Sequence, residues 1–174
     1  MTAVAELPPR TEARTARSRR PVVAGLLVVI AGLLVAGAWL GWTVRENHVL
    51  AQARAEASAA GKQTVTAVLS YDYRTLDADL DRAERGLTAG FRADYAKVVA
   101  TSVKPVAVKD KVVTTANVPA VSVTGAGRER VQLLMFVDQL TSSAKEKNVV
   151  NVSRVEVTMT RSDHGWLVAD LRAV

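Results

Sequence analysis

Tyr71-Asp72-Tyr73 is the segment of this sequence best equipped for chemistry. An aspartate with neighbouring tyrosine hydroxyls can act as a general base and an oxyanion donor, provided that it points into an apolar pocket. The same three residues can instead make a polar joint, with the rings under a sheet and the carboxylate holding backbone donors. Asp77-x-Asp79-x-Asp81 copies the opening of a calcium loop. Its sixth position is Arg82, where glycine is needed, and its twelfth is Thr88, where a bidentate glutamate is needed. An acidic first helical turn is the better reading. His48 and His164 lie in no zinc spacing. The chain has no cysteine, which excludes thiol catalysis and thiolate metal sites. Nucleophile elbow, P-loop and dinucleotide fingerprints are absent, and no cofactor is expected. Asn151-Val152-Ser153 matches a glycosylation sequon, a short pattern that recurs by chance.

Val22 to Val44 is a run of 23 uncharged residues. As a helix it would be roughly 34 Å long, enough for a hydrocarbon core of about 30 Å. The run includes Val22, Leu27, Ile30, Leu34, Trp39, Trp42 and Val44, with the two indoles near the end, where amphipathic rings favour headgroups. Arg10, Arg14, Arg17, Arg19 and Arg20 precede it. By the positive-inside rule the N-terminus is expected in the cytoplasm and the chain from about residue 45 outside, giving a single-pass cell-membrane protein. The run is longer than a signal-peptide core, although Ala36-Gly37-Ala38 resembles a cleavage site. Gly37-x-x-x-Gly41 could bring two such helices close, but small residues occur throughout this run.

The net charge of +6 does not signal nucleic acid. Half of it sits in residues 1–20, and aromatics are only 5% of the chain, with no basic stripe interleaving them. The expected organisation is a disordered basic tail (1–20), a transmembrane helix (21–44), a membrane-proximal helix (45–70) and an α+β domain (71–174) whose first helix is supplied by 49–70.

In that first helix Leu50, Ala53, Ala57, Ala60, Thr64 and Val68 recur at helical spacing, with Gly61 a weak point. The pattern predicts a second helix from Leu76 to Arg85, capped by Thr75 and ended by Gly86. A third runs from Ala89 to Ser102, presents Phe91, Tyr95, Val98 and Val99, and stops at Lys104-Pro105. The period then becomes two. Strands are expected at Val106–Ala116, Ala120–Val123, Val131–Val137, Ser153–Thr160 and Trp166–Leu171, with a hairpin loop at 161–165. Val131, Leu133, Met135 and Val137 share one face of the third strand. Leu134 and Phe136 make its other face apolar, as in a central strand. Helices first and antiparallel strands second indicate helices packed on a curved sheet, the order of the NTF2-like, cystatin-like cone.

With these segments in view, the chain resembles the actinobacterial Mce-associated membrane proteins. The resemblance rests on the single anchor, Val68-Leu69-Ser70-Tyr71-Asp72-Tyr73-Arg74-Thr75-Leu76, Gly86-Leu87-Thr88 leading to Phe91 and Tyr95, Leu134-Met135-Phe136-Val137-Asp138-Gln139, and Gly165-Trp166-Leu167-Val168-Ala169-Asp170-Leu171. It implies an NTF2-like domain distantly similar to the VirB8 scaffold of type IV secretion. It also implies an accessory role beside Mce systems that move lipids or sterols, with membrane and transporter partners and a homo-oligomer as an option. It supplies no catalytic residue. The alternatives are a lipid-binding module that uses the interior of the cone, and a ketosteroid-isomerase-like enzyme with Asp72 as base.

Overall fold

The computed structural model describes the backbone of residues 20–174, and the side chains of residues 32, 33, 37, 39 and 45–174. Residues 1–19, including Arg10, Arg14, Arg17 and Arg19, lie outside it. So do the side chains of Arg20, Val22, Leu27, Ile30, Leu34, Trp42 and Val44. The chain divides into two compact units, 1–44 and 45–174. Helix α1 runs from Arg20 to Leu69. Among the described residues, which omit most of the Val22–Val44 side chains, no helix is long and apolar enough to cross a membrane.

The unit 45–174 is an α+β domain. After α1 come a short strand β1 (Tyr71–Asp72), helix α2 (Leu76–Glu84) and helix α3 (Ala89–Val98). A π-helical turn (Val99–Val103) then leads into helix α4 (Lys104–Asp110). Strands β2 (Val113–Ala126), β3 (Arg130–Ser142), β4 (Val149–Ser162) and β5 (Gly165–Ala173) complete it. The five strands form one sheet in chain order, and every neighbouring pair is antiparallel.

The core forms where α1 lies on the sheet. Small residues make that approach possible: Ala53, Ala57 and Gly61 are buried, followed by Thr64 and Val65. A Cβ at Gly61 would stand 2.8 Å from Met135 Cε and 2.9 Å from Leu133 Cδ1. Gly61 is thus a close-fitting point of the helix, where the sequence had suggested a weak one. Val131, Leu133, Met135 and Val137 of β3 and Val155, Val157 and Met159 of β4 point into this core, as the period of two predicts. A second cluster joins Leu76, Leu80, Val99, Ala107 and Val112.

Several expectations are corrected. Pro105 does not end the helical region. The π turn shifts the hydrogen-bond register, with the Lys104 N–H donating to Val99 O, and α4 restarts with proline in its first turn, where no N–H is required. The expected strand Val106–Ala116 is therefore helix up to Asp110. Lys111, at φ 53°, turns the chain into β2. Ala107 buried in the second cluster outweighs the β-branched pattern of its neighbours. Ala120–Val123 belongs to this same β2, which passes an irregularity between Asn117 and Ala120. Thr75 does not cap α2 with its side chain. Val98 faces solvent. Finally, β3 is central in order but covered on one face only: Phe136 is 40% exposed and Leu140 is also open to solvent.

Candidate functional site

Tyr71, Asp72 and Tyr73 leave α1 as an extended segment that pairs with the start of β2. Tyr71 lies opposite Thr114 and Asp72 opposite Val113, and the Tyr73 N–H donates to Val112 O at 3.1 Å. The Tyr71 ring packs on the second cluster, while the Tyr73 ring lies under the Arg74 guanidinium at 5.8 Å. Asp72 Oδ1 accepts the Arg74 backbone N–H at 2.9 Å and Arg74 Nε at 3.0 Å, and Oδ2 receives Nη2. These side-chain and backbone bonds to Arg74 hold the Asp72 carboxyl down to about 2, despite some opposing desolvation.

Asp79 continues the clamp. Its Oδ2 accepts the Asp72 N–H at 3.1 Å and Thr75 Oγ1 at 2.8 Å, and Oδ1 accepts Arg82 Nη1 at 3.0 Å. Helix α2 is thus fastened by a carboxylate within it reaching back, the reverse of the expected threonine cap. Asp77 pairs instead with Lys104 at 2.7 Å, and Asp81 is exposed. The acidic triplet serves separate partners, and no metal-binding group of three exists among the described residues. His48 and His164 are both exposed, the latter in the turn between β4 and β5, and Asn151 of the sequon lies within β4.

The joint extends beyond the three residues that the sequence singled out. The last carbonyls of a helix have no partner within it. Here Tyr95 Oη donates to Val68 O at 3.5 Å and Gln139 Nε2 to Leu69 O at 3.4 Å. Ser70 Oγ accepts the Ala116 N–H at 2.8 Å. Side chains from α3 and β3, and the backbone of β2, therefore meet at the end of α1. Burial pushes the Tyr95 phenol up to about 12, helped by Glu84 and Tyr71. Ser70, Tyr95 and Gln139 lie in the segments that carry the family resemblance, which was the available signal. Nothing local in the sequence assigns them capping roles, because each partner is at least 27 positions away.

A second polar cluster escaped the sequence reading. The Trp166 Nε1–H donates to Glu56 Oε2 at 3.2 Å, Arg161 Nη2 stands 3.7 Å from the same oxygen, and the Arg161 guanidinium lies 5.7 Å from the Trp166 ring. Bonds from Gln52 and then Trp166 hold the Glu56 carboxyl below its ordinary range. This cluster ties α1 to the β4–β5 hairpin.

Chemically, both clusters hold elements together. Asp72 accepts a backbone N–H and a guanidinium, the arrangement of a structural carboxylate and the opposite of a base awaiting a proton. The interior that an NTF2-like cone could offer a ligand is filled: Met135 and Trp166 are buried, and Phe91 and Tyr95 pack against them.

The helical layer on a five-stranded antiparallel sheet is a VirB8-like fold. An IcmL-like type IV secretion system protein from Legionella pneumophila matches it with a TM-score of 0.62 at 15% identity, over 70% of this chain and 91% of that one. CagV, a VirB8 homolog from Helicobacter pylori, matches with 0.57 at 13% identity, over 69% and 97%. The chain belongs to the family described as "Uncharacterized protein Rv1363c/MT1408-like", which matches residues 20–170. A relative named outer membrane protein Rv1973, from Mycobacterium tuberculosis, is 30% identical over 159 residues, 89% of this chain and 98% of its own length.

Proposed function

We propose that this protein is a non-enzymatic scaffold of the cell envelope, held in the cell membrane by Val22–Val44. Its N-terminal arginines face the cytoplasm and its domain lies on the outer side, supporting an Mce-type lipid or sterol importer. The observation that carries the scaffold reading is the filled interior. With Met135, Met159 and Trp166 packed in the core beneath α1, the space between helix and sheet is taken up by side chains, and the domain offers its surfaces to partners. The clamped Asp72 argues in the same direction against isomerase chemistry. The name of the 30%-identical relative supports an envelope location, and so does the likeness to VirB8-like proteins, one of them described as a periplasmic fragment of TraM. The NTF2-like description and the importer partnership rest on the sequence resemblance.

A tethered domain searches in two dimensions, so weak contacts suffice to keep it beside a membrane partner. Deleting the gene and measuring importer subunit levels and lipid uptake tests the role. Unchanged levels and uptake, in a strain without a second copy of the family, would refute it. Membrane fractionation tests the anchor separately: the intact chain should sediment with membranes and resist carbonate extraction.

A further inference from the structure

Strand β4 is longer than the strand beside it. It pairs with β3 from Val149 to Thr160, but with β5 only from Val155 to Ser162. The Val174 N–H donates to Arg154 O at 3.0 Å and marks the last rung on that side. At the other end Asn148, at φ 56°, turns the chain out of the strand. A window of edge remains between them: Val149-Val150-Asn151-Val152-Ser153.

The direction of its backbone groups follows from the last rung. Arg154 turns its carbonyl toward the β5 side, and strand geometry repeats every two residues, so Val152 and Val150 turn their N–H and C=O groups to the same open side. Val150 and Val152 are each 66% exposed. The window contains no proline, glycine or charge, the devices by which sheet edges are ordinarily guarded.

We propose that this edge pairs antiparallel with the same edge of a second copy of the chain, about a two-fold axis at Asn151. The segment is symmetric in the way that such an interface requires. With Asn151 opposite Asn151 of the second copy, Val150 falls opposite Val152 and Val152 opposite Val150. Those are the residues whose backbone groups face outward, so each pair exchanges both N–H···O=C bonds. Asn151 forms the closer, non-hydrogen-bonded pair, in which two carboxamides can bond to each other. A slide by one residue would bring inward-directed backbone groups to the interface, and a slide by two would run one outward rung into Arg154, whose carbonyl Val174 already holds, or into Asn148, which leaves the strand. No like charges oppose each other within the window. Asn148 of each copy turns away where Val174 of the other copy occupies the edge. On the open face, Leu140 lies beside Val150 on the neighbouring strand and would continue an apolar strip across the junction. This inference does not depend on the importer or on the membrane topology.

The native chain has no cysteine, so a single substitution reports on the axis. In a non-hydrogen-bonded pair the α-carbons stand about 4.5 Å apart, within the range of a disulfide. Full-length Asn151→Cys, oxidised in native membranes with a membrane-permeable copper catalyst, should run largely as a disulfide-linked homodimer. Glu156→Cys, on the same strand beyond the window, should remain monomeric. Adding Val152→Pro should reduce the Asn151→Cys dimer severalfold. It removes an interface donor and leaves the β3 ladder intact, because the Val152 N–H points away from β3. If that variant folds poorly, Val150→Lys with Val152→Lys makes the same test by setting lysines opposite each other. A monomeric Asn151→Cys, equal cross-linking of Glu156→Cys, or cross-linking of Asn151→Cys only to a different protein would overturn the proposal.

Discussion

Gly86→Ala separates tertiary from local reasoning most sharply. Gly86 carries no positive φ, so replacing it with alanine should raise stability by about 0.4–1 kcal/mol through a stiffer unfolded chain. The fold reverses the sign. A Cβ at Gly86 would stand 2.4 Å from Thr64 Oγ1, 2.5 Å from Thr64 Cγ2 and 3.0 Å from Thr64 Cβ. A rotamer change cannot relieve all three contacts, since the last atom is fixed to the α1 backbone. The glycine cannot retreat either. Its N–H donates to Ala83 O at 3.1 Å, its carbonyl accepts the Val168 N–H at 2.9 Å, and the Val168 carbonyl accepts the Thr88 N–H at 2.9 Å. Overpacking of this kind costs about 1–3 kcal/mol, so the net loss should be about 1–2 kcal/mol after the conformational gain is subtracted. For a domain of this size that is several degrees in Tm. Urea unfolding followed by far-UV circular dichroism, on the parent, Gly86→Ala, Thr64→Ala and the double variant, measures it. Removing the Thr64 hydroxyl and methyl should relieve most of the clash, giving a favourable coupling of at least about 1 kcal/mol. A Gly86→Ala protein as stable as the parent, or a coupling near zero, would refute the reasoning.

Other outcomes follow from the joint and the hairpin. Asp79→Ala strips the acceptor from the Asp72 N–H, Thr75 Oγ1 and Arg82, and should destabilise by about 1–3 kcal/mol in the same unfolding assay, with Asp79→Asn milder. The raised Tyr95 phenol contributes stability that is complete below pH 10 and lost as pH rises through about 12; Tyr95→Phe should flatten that alkaline decline in urea midpoints. The lowered Asp72 carboxyl works in the opposite sense: its contribution is present above its ordinary value and lost as pH falls toward about 2, so Asp72→Asn should remove part of the acid dependence. Trp166→Phe keeps most of the apolar contact but leaves Glu56 without its indole donor, and should lower the urea midpoint modestly, an effect largely absent when Glu56 is already alanine.

The sequence by itself determined what depends on neighbours along the chain. The helical spacing of Ala53, Ala57 and Thr64, the alternation in β3 and β4, and the β4–β5 turn at Asp163-His164 were all legible, because a period of 3.6 or 2 and a turn are local properties. Two bends were misread for the same reason. Pro105 breaks a helix by local rules, yet a π turn accommodates it once Val99 and Ala107 are buried together. Val106 and Val108 look like strand, but their neighbour Ala107 decides for helix. Only the tertiary structure could decide what Tyr71-Asp72-Tyr73 does, since the answer lies in Arg74 and Asp79 folding back onto Asp72. It alone showed that Ser70, Tyr95 and Gln139 close the end of α1, that Glu56 reaches Trp166, and that one face of β3 stays open. Each of these is a contact between residues whose separation along the chain says nothing about their distance in space. A hydrogen bond or a covered face depends on that distance, and the chain sets it only when the whole core closes.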